Sequence, residues 1–163
     1  EGMKQGIKPI LGCEMYVAKR SHKDKEAKVD SEPFHLTVLA KNYQGYLNLM
    51  KLVSIAHLEG FYYRPRIDKA TLSKYSGGLI ALSGCSSSEI AKALVNGNLE
   101  GAKKKALEYY QIFGTGNFYI EVQRHQFDKF KTAHEIGSEI YNELDRMGNE
   151  EKKIINGIPI EKR

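Results

Sequence analysis

The chain has 163 residues, 25 basic against 20 acidic side chains and a formal net charge of +5, with 41% hydrophobic and 28% charged residues. That length predicts one domain able to bury roughly two-thirds of its unfolded surface, and the near-average composition indicates neither a disordered chain nor a membrane protein. The apolar runs fall far short of the ~20 residues of a membrane span, no segment has the build of a secretory signal, and two cysteines, Cys13 and Cys85, make no disulfide framework; a cytoplasmic, reducing location is the expectation.

In chain order, residues 9–17 (PILGCEMYV) are apolar and β-rich and read as a strand with Gly12 inside it. Residues 19–33 interleave both charge signs, which cancels the field a polyanion would follow, so they read as a solvated polar loop rather than a phosphate-binding patch. Residues 34–40 (FHLTVLA) read as a second strand, with Phe34, Leu36, Val38 and Ala40 on one face and His35, Thr37 and Leu39 on the other. Antiparallel pairing of these two strands brings Glu14 close to His35, a carboxylate beside an imidazole. Asn42 then caps a helix whose apolar positions are Tyr46, Leu49, Met50, Val53 and Ala56, and Gly60 ends it.

Residues 58–85 are the densest stretch. A basic, aromatic surface loop at 61–66 precedes a short helix capped by Asp68, and a strand at Leu79–Leu82 delivers Cys85 to a strand end. Tyr62, Tyr63, Arg64 and Arg66 suit base stacking and phosphate binding, and equally a protein docking surface. Ser86 with Glu89 forms a capping box for a helix running to Val95. Asn98 caps the next helix, whose apolar face is Ala102, Ala106, Tyr109 and Phe113 and whose end is Gly114. Residues 118–122 (FYIEV) form a strand leading to Arg124 and His125, Asp128 caps a helix with Ala133, Ile136, Ile140 and Leu144 on one side, and residues 157–160 (GIPI) begin a last strand. Strands alternating with helices predict an α/β fold with a largely parallel sheet, in which chemistry gathers where strands end.

Glu14, His35, Cys85 and His125 are all metal-ligand types that suit zinc or a related divalent ion. They are scattered along the chain, however, and no CxxC or HExxH pattern joins them. Each also has a plain structural reading: an exposed strand residue, a small buried hydrophobe, a hydrogen-bonded histidine. His22, His57 and His134 read as surface residues. No glycine-rich phosphate loop, Ser-His-Asp arrangement or paired acidic motif for nucleotidyl transfer is visible.

Five blocks carry a resemblance: residues 6–18 (GIKPILGCEMYVA), 34–54 (FHLTVLAKNYQGYLNLMKLVS), 59–68 (EGFYYRPRID), 78–85 (GLIALSGC) and 117–125 (NFYIEVQRH). Together they resemble the amino-terminal polymerase-and-histidinol-phosphatase (PHP) domain of bacterial replicative DNA polymerase III alpha subunits, over about residues 6–160, with the EGFYYRPRID and LIALSGC blocks specific to alpha subunits. The resemblance implies a distorted, TIM-like β/α barrel with metal ions at the carboxyl ends of its strands. It implies Glu14 as a ligand that can bridge metals, His35 as a histidine ligand, Cys85 at a position that takes histidine or cysteine, and His125 as an additional metal or structural residue. The implied cofactor is zinc, manganese or magnesium, and the implied chemistry of the complete domain is phosphoester hydrolysis of a proofreading kind. The implied partners are the rest of the polymerase chain, the replicase subunits and, through the parent protein, DNA, with no membrane.

Departures from the pattern shape the expectation. The family's opening HxH and closing Asp-x-His motifs have no match, and residues 161–163 (EKR) diverge. Residues 1–163 are therefore expected to form a partial PHP domain, an incomplete barrel lacking its first and last strands. It is expected to bind several metals only weakly and not to polymerise alone, since the palm carboxylates of the parent family fall outside it. Two alternatives accompany this reading: a stand-alone PHP phosphoesterase of the histidinol-phosphatase kind, which requires a complete ligand set, and a non-catalytic docking module with residues 61–66 as its surface.

Overall fold

The computed structural model describes residues 1–123 and two short strands at 154–155 and 158–159. Strict alternation organises its first two strands, β1 (Gly12–Val17) and β2 (Phe34–Ala40). Met15, Val17, Leu36 and Val38 are buried on one face, while Glu14, Tyr16, His35 and Thr37 occupy the other. The strands pair antiparallel, with Gly12 opposite Leu39 and Tyr16 opposite His35. A slip of one residue would turn the whole apolar set to the wrong face, which fixes this register.

β3 (Phe61–Tyr62), β4 (Arg64–Ile67), β5 (Leu79–Leu82) and β6 (Phe118–Tyr119) complete a six-stranded sheet in the order β3-β4-β1-β2-β5-β6. The β1–β4 and β5–β6 pairs are parallel, whereas β1–β2, β2–β5 and β3–β4 are antiparallel. The sheet is thus mixed, not largely parallel as strand–helix alternation predicts. β1 and β2 are joined by a polar loop with no crossover helix, and without a crossover the returning strand runs antiparallel. The sheet is open, with β3 and β6 at its edges, the form of an incomplete barrel. β7 (Ile154–Ile155) and β8 (Ile158–Pro159) pair with each other in a separate antiparallel ladder.

Helices cover the apolar face. In α1 (Tyr43–Leu58) the Asn42 side chain accepts a hydrogen bond from Gly45 N–H at 2.9 Å, as predicted. The buried stripe, however, is Gly45, Asn48, Leu49, Leu52 and Ala56, and Tyr46 and Met50 stand at the rim, 36% and 42% exposed. Backbone contact explains the rotation. A Cβ at Gly45 would lie 1.8 Å from the Gly78 carbonyl oxygen, and Asn48 Nδ2 donates to the Gly77 carbonyl at 2.7 Å, so the helix is drawn onto the 77–78 turn at positions that hydropathy does not mark. α2 (Lys69–Lys74) takes its predicted cap from Asp68. In α3 (Glu89–Val95) the cap is Ser88, whose hydroxyl accepts from Ala91 N–H at 3.1 Å. The expected Ser86–Glu89 box gives way because Glu89 turns instead to Lys69 and Lys105, at 2.5 and 2.7 Å. α4 (Leu99–Phe113) buries Ala102, Ala106, Tyr109 and Phe113 as its spacing predicts, and Tyr109 stacks on Phe118 with centroids 5.8 Å apart. Of the strand expected at 118–122, only Phe118–Tyr119 joins the sheet.

The polar stretch at 19–33 is folded down onto the domain rather than left in solvent. Arg66 on β4 is completely buried and donates to the carbonyls of Gly60, Asp30, His22 and Asp24 at 3.1, 2.9, 3.0 and 2.7 Å. This overturns its expected place on an outward-facing loop: β4 lies beside β1 with Arg66 level with Tyr16, and the 19–33 segment closes over the guanidinium. His22, expected at the surface, is 6% exposed and bonds through Nδ1 to Asp68 Oδ2 at 2.5 Å. Arg20 forks onto the buried Asp30 and reaches Glu26, with Nη2 contacts of 2.6 and 2.8 Å. Burial alone would raise the Asp68 carboxyl, but hydrogen bonds from the His22 and Thr71 backbones, the Thr71 hydroxyl and the His22 ring outweigh it and bring it down to about 2. Residues 61–67 form a hairpin rather than a loop, turned at Tyr63 with φ 58°. His57 is exposed as expected. Arg124, His125, His134 and the helix expected after Asp128 lie outside the described residues.

Candidate metal centre

Sheet geometry brings three of the predicted ligands together. Alternation puts Glu14 and His35 on the face opposite the core, and the antiparallel register sets Tyr16 directly across from His35 with Glu14 on the diagonal, within reach of a long side chain. β5 runs antiparallel to β2 with Leu82 opposite Thr37, so the chain leaving β5 is aimed at His35. Gly84, at φ 84°, passes so close that a Cβ would lie 3.0 Å from the His35 carbonyl oxygen, and His35 N–H donates to the Ser87 carbonyl at 3.3 Å. Glycine is required there on both counts.

The result is a convergence on one ring nitrogen. Cys85 Sγ lies 3.5 Å from His35 Nδ1, and Glu14 Oε1 contacts the same Nδ1. One ligand atom from each of the three residues lies within 4.8 Å of the others. Ser87 N–H donates to Cys85 Sγ at 3.4 Å, which fixes the direction of the sulfur. Glu14 is exposed, and His35 and Cys85 are half-buried.

This geometry separates two chemistries. A nucleophile–histidine–acid relay needs the nucleophile and the acid at opposite ring nitrogens, whereas here both crowd Nδ1, an arrangement suited to a shared cation. With Zn–N near 2.0–2.1 Å and Zn–S near 2.3 Å, a tetrahedral site separates N and S by about 3.5 Å, which matches the Cys85–His35 distance. A carboxylate, an imidazole and a thiol are a donor set that a divalent ion accepts, so the residues fit a metal of the class that the resemblance implies.

The surroundings include residues that the sequence reading passed over. Tyr16 stands edge-on to His35, centroids 5.2 Å apart at 84°, and the Arg64 guanidinium carbon lies 5.8 Å from the Tyr16 ring centre. The signal was available, since Tyr16 is two residues from Glu14 on a strand and shares its face. Ser87 and Gly84 carried no comparable signal. Cys13 packs against the core on the opposite face, where burial, reinforced by the Glu14 charge, pushes its thiol up. Of the hairpin residues, Tyr62 and Tyr63 meet edge to face at 4.7 Å, Tyr63 is 70% exposed and Arg64 is exposed, while Arg66 is turned inward. His125 lies outside the described residues.

Comparison with known proteins identifies relatives of this chain. The DNA polymerase III subunit alpha of Borreliella burgdorferi is 49% identical over 126 residues, covering 77% of this chain. Those of Treponema pallidum and Thermus aquaticus are each 44% identical, over 128 and 133 residues, covering 78% and 80% of it. In each case the match covers 11% of the relative, so the chain spans about a tenth of the length of these curated relatives. The family model described as PHP domain matches residues 1–125, and with more than half of its length so matched the chain belongs to the PHP domain family.

Proposed function

We propose that the chain is the PHP module of a DNA polymerase III alpha subunit, in which Glu14, His35 and Cys85 hold a divalent ion for phosphoester chemistry while nucleotide addition takes place elsewhere in the parent chain. The observation that carries this reading is the convergence of the three ligand atoms within 4.8 Å on the sheet face opposite the core. The imidazole and thiol favour zinc over magnesium, which prefers an all-oxygen shell. When bound, such an ion supplies a Lewis acid and acidifies its bound water toward neutrality. The protein's part is positional. Ser87 N–H aims the Cys85 sulfur, the edge of Tyr16 braces the His35 ring, and the half-exposed Glu14 brings negative charge to the open side.

Three donors leave a position open for water, as in catalytic zinc sites, and with an exposed Glu14 the chain is expected to bind one ion weakly. The same reading assigns the module a cytoplasmic place beside the rest of the polymerase, the replicase subunits and DNA. Among the described residues no helix is long and apolar enough to cross a membrane. Zinc titration by calorimetry tests the centre: one weak site is expected in the wild-type chain, with Cys85→Ser and Glu14→Gln each lowering its affinity at least 10-fold, in line with loss of a ligand. Tight binding of three ions, or a Cys85→Ser titration that matches wild type, refutes it.

A further inference from the structure

Three arginines fall among the described residues, and two are fully engaged. Arg20 holds Asp24, Glu26 and Asp30, and Arg66 holds four backbone carbonyls. Arg64 is exposed and pairs with no carboxylate among the described residues. It is nonetheless held in a defined place. It lies two residues from Arg66, which is level with Tyr16, so it shares the sheet face that carries Glu14 and His35, and its guanidinium sits 5.8 Å from the Tyr16 ring centre. Tyr16 in turn is 5.2 Å from the His35 ring. At the ~3.4 Å rise of a stacked strand, two such contacts in series span at most about three nucleotides.

The hairpin tip adds an aromatic surface. Tyr63 adopts φ 58°, a conformation unfavourable for any residue with a side chain and frequently found where function demands it. The consequence is a ring 70% exposed beside Arg64. The hairpin is braced from beneath, since the buried Arg66 guanidinium lies 5.3 Å from the Tyr62 ring.

We propose that Arg64 and Tyr63 form a nucleotide subsite beside the metal centre: the guanidinium takes a backbone phosphate and the tyrosine ring stacks a base of a single strand whose end lies at Glu14, His35 and Cys85. The proposal rests on the phosphoester reading of that centre and names its substrate class. A planar guanidinium with no carboxylate partner among the described residues matches phosphate geometry, and only an unpaired strand offers base faces for stacking. Continuity with the centre through Tyr16 favours this occupant over a protein partner, which would have no reason to lie along the ligand-bearing face. Tyr16 is a positioning residue that fixes how far Arg64 stands from His35.

Fluorescence anisotropy of a labelled oligo-dT strand with the full 163-residue chain, at several salt concentrations, tests it. Arg64→Ala is expected to weaken binding about 10-fold and to lower the salt slope by about one, as loss of one phosphate contact requires. Tyr63→Leu is expected to weaken it about 10-fold with the slope unchanged, as loss of one stacked base requires. In parallel, the thiolate-to-metal absorption of the cobalt-loaded chain reports Cys85 ligation and is expected to be the same in wild type and both variants. No binding by wild type, or equal binding by wild type and Arg64→Ala, overturns the subsite. Arg64→Ala weakening a polyglutamate peptide as much as the strand, with Tyr63→Leu silent, overturns it in favour of an acidic protein partner. Absence of the cobalt band in wild type overturns the metal reading instead, and the oligonucleotide measurements still decide the subsite.

Discussion

Replacing Arg66 by methionine keeps an unbranched stem in the buried slot and removes the guanidinium, which donates four hydrogen bonds of 2.7 to 3.1 Å to the carbonyls of Gly60, Asp30, His22 and Asp24. The carbonyls of Asp30, His22 and Asp24 lose this donor at about 1–3 kcal/mol each, although a second lone pair and water relieve part of this, while the Gly60 carbonyl keeps the Arg66 backbone N–H at 3.3 Å. Against that loss stands the recovered desolvation of a fully buried cation, several kcal/mol in its own right. At that cost the three carbonyls lose about 3–9 kcal/mol, and the several kcal/mol recovered from the cation leaves a net loss of about 2–4 kcal/mol, a large share of the ~5–15 kcal/mol typical of a domain. Urea unfolding followed by far-ultraviolet circular dichroism measures it, and hydrogen exchange locates it: protection is expected to fall at residues 22–30 and to hold in α4. Arg66→Lys, which restores one or two of the contacts without the planar fork, is expected to recover part of the loss. A methionine variant within about 1 kcal/mol of wild type, with residues 22–30 as protected as before, refutes the assignment of Arg66 as the anchor of that segment.

Two further perturbations bear on the scaffold. Asp68 sits at about 2 in the folded chain against ~3.9 unfolded, so its contribution is fully present above about pH 4 and is lost as pH falls through 4 toward 2. After discounting for solvent screening the contribution is about 1 kcal/mol, and Asp68→Asn is expected to flatten the acid limb of the stability profile in that window; a limb as steep as wild type would contradict this. Gly45→Ala sets two effects against each other, a helix-propensity gain of up to ~1 kcal/mol and a Cβ placed 1.8 Å from the Gly78 carbonyl oxygen. The clash is expected to win by about 2 kcal/mol and to lower Tm by about 5–8 °C for a domain of this size, whereas a rise in Tm would show that α1 does not rest on the 77–78 turn.

What the sequence disclosed, it disclosed through local rules. The spacing of Ala102, Ala106, Tyr109 and Phe113 determines the buried face of α4, alternation determines the faces of β1 and β2, and Asn42, Asp68 and Asn98 announce three helix starts through their side-chain oxygens. Local rules fail where a distant partner decides. Gly45 and Asn48 turn α1 because of Gly77 and Gly78. Glu89 leaves its capping role because Lys69 and Lys105 reach it from other helices. Arg66 and His22 read as surface residues by type, and only the closing of the 19–33 segment over them makes them interior. The candidate centre divides along the same line: Glu14 and His35 are legible from alternation and a guessed antiparallel turn, while the approach of Cys85 depends on Gly84 slipping past the His35 backbone.

The mixed origin of that centre has a consequence for how it can change. Glu14 and His35 project from hydrogen-bonded strands, and displacing either by one position would point it into the core and break the ladder around it. Cys85 hangs from a loop, whose backbone can absorb a substitution or a small insertion without disturbing any pairing. Metal preference in a centre of this construction is therefore adjustable at one point. Two ligands are inherited with the fold, and the third is open to selection, so exchanging its thiol for an imidazole would retune the site while leaving the sheet untouched.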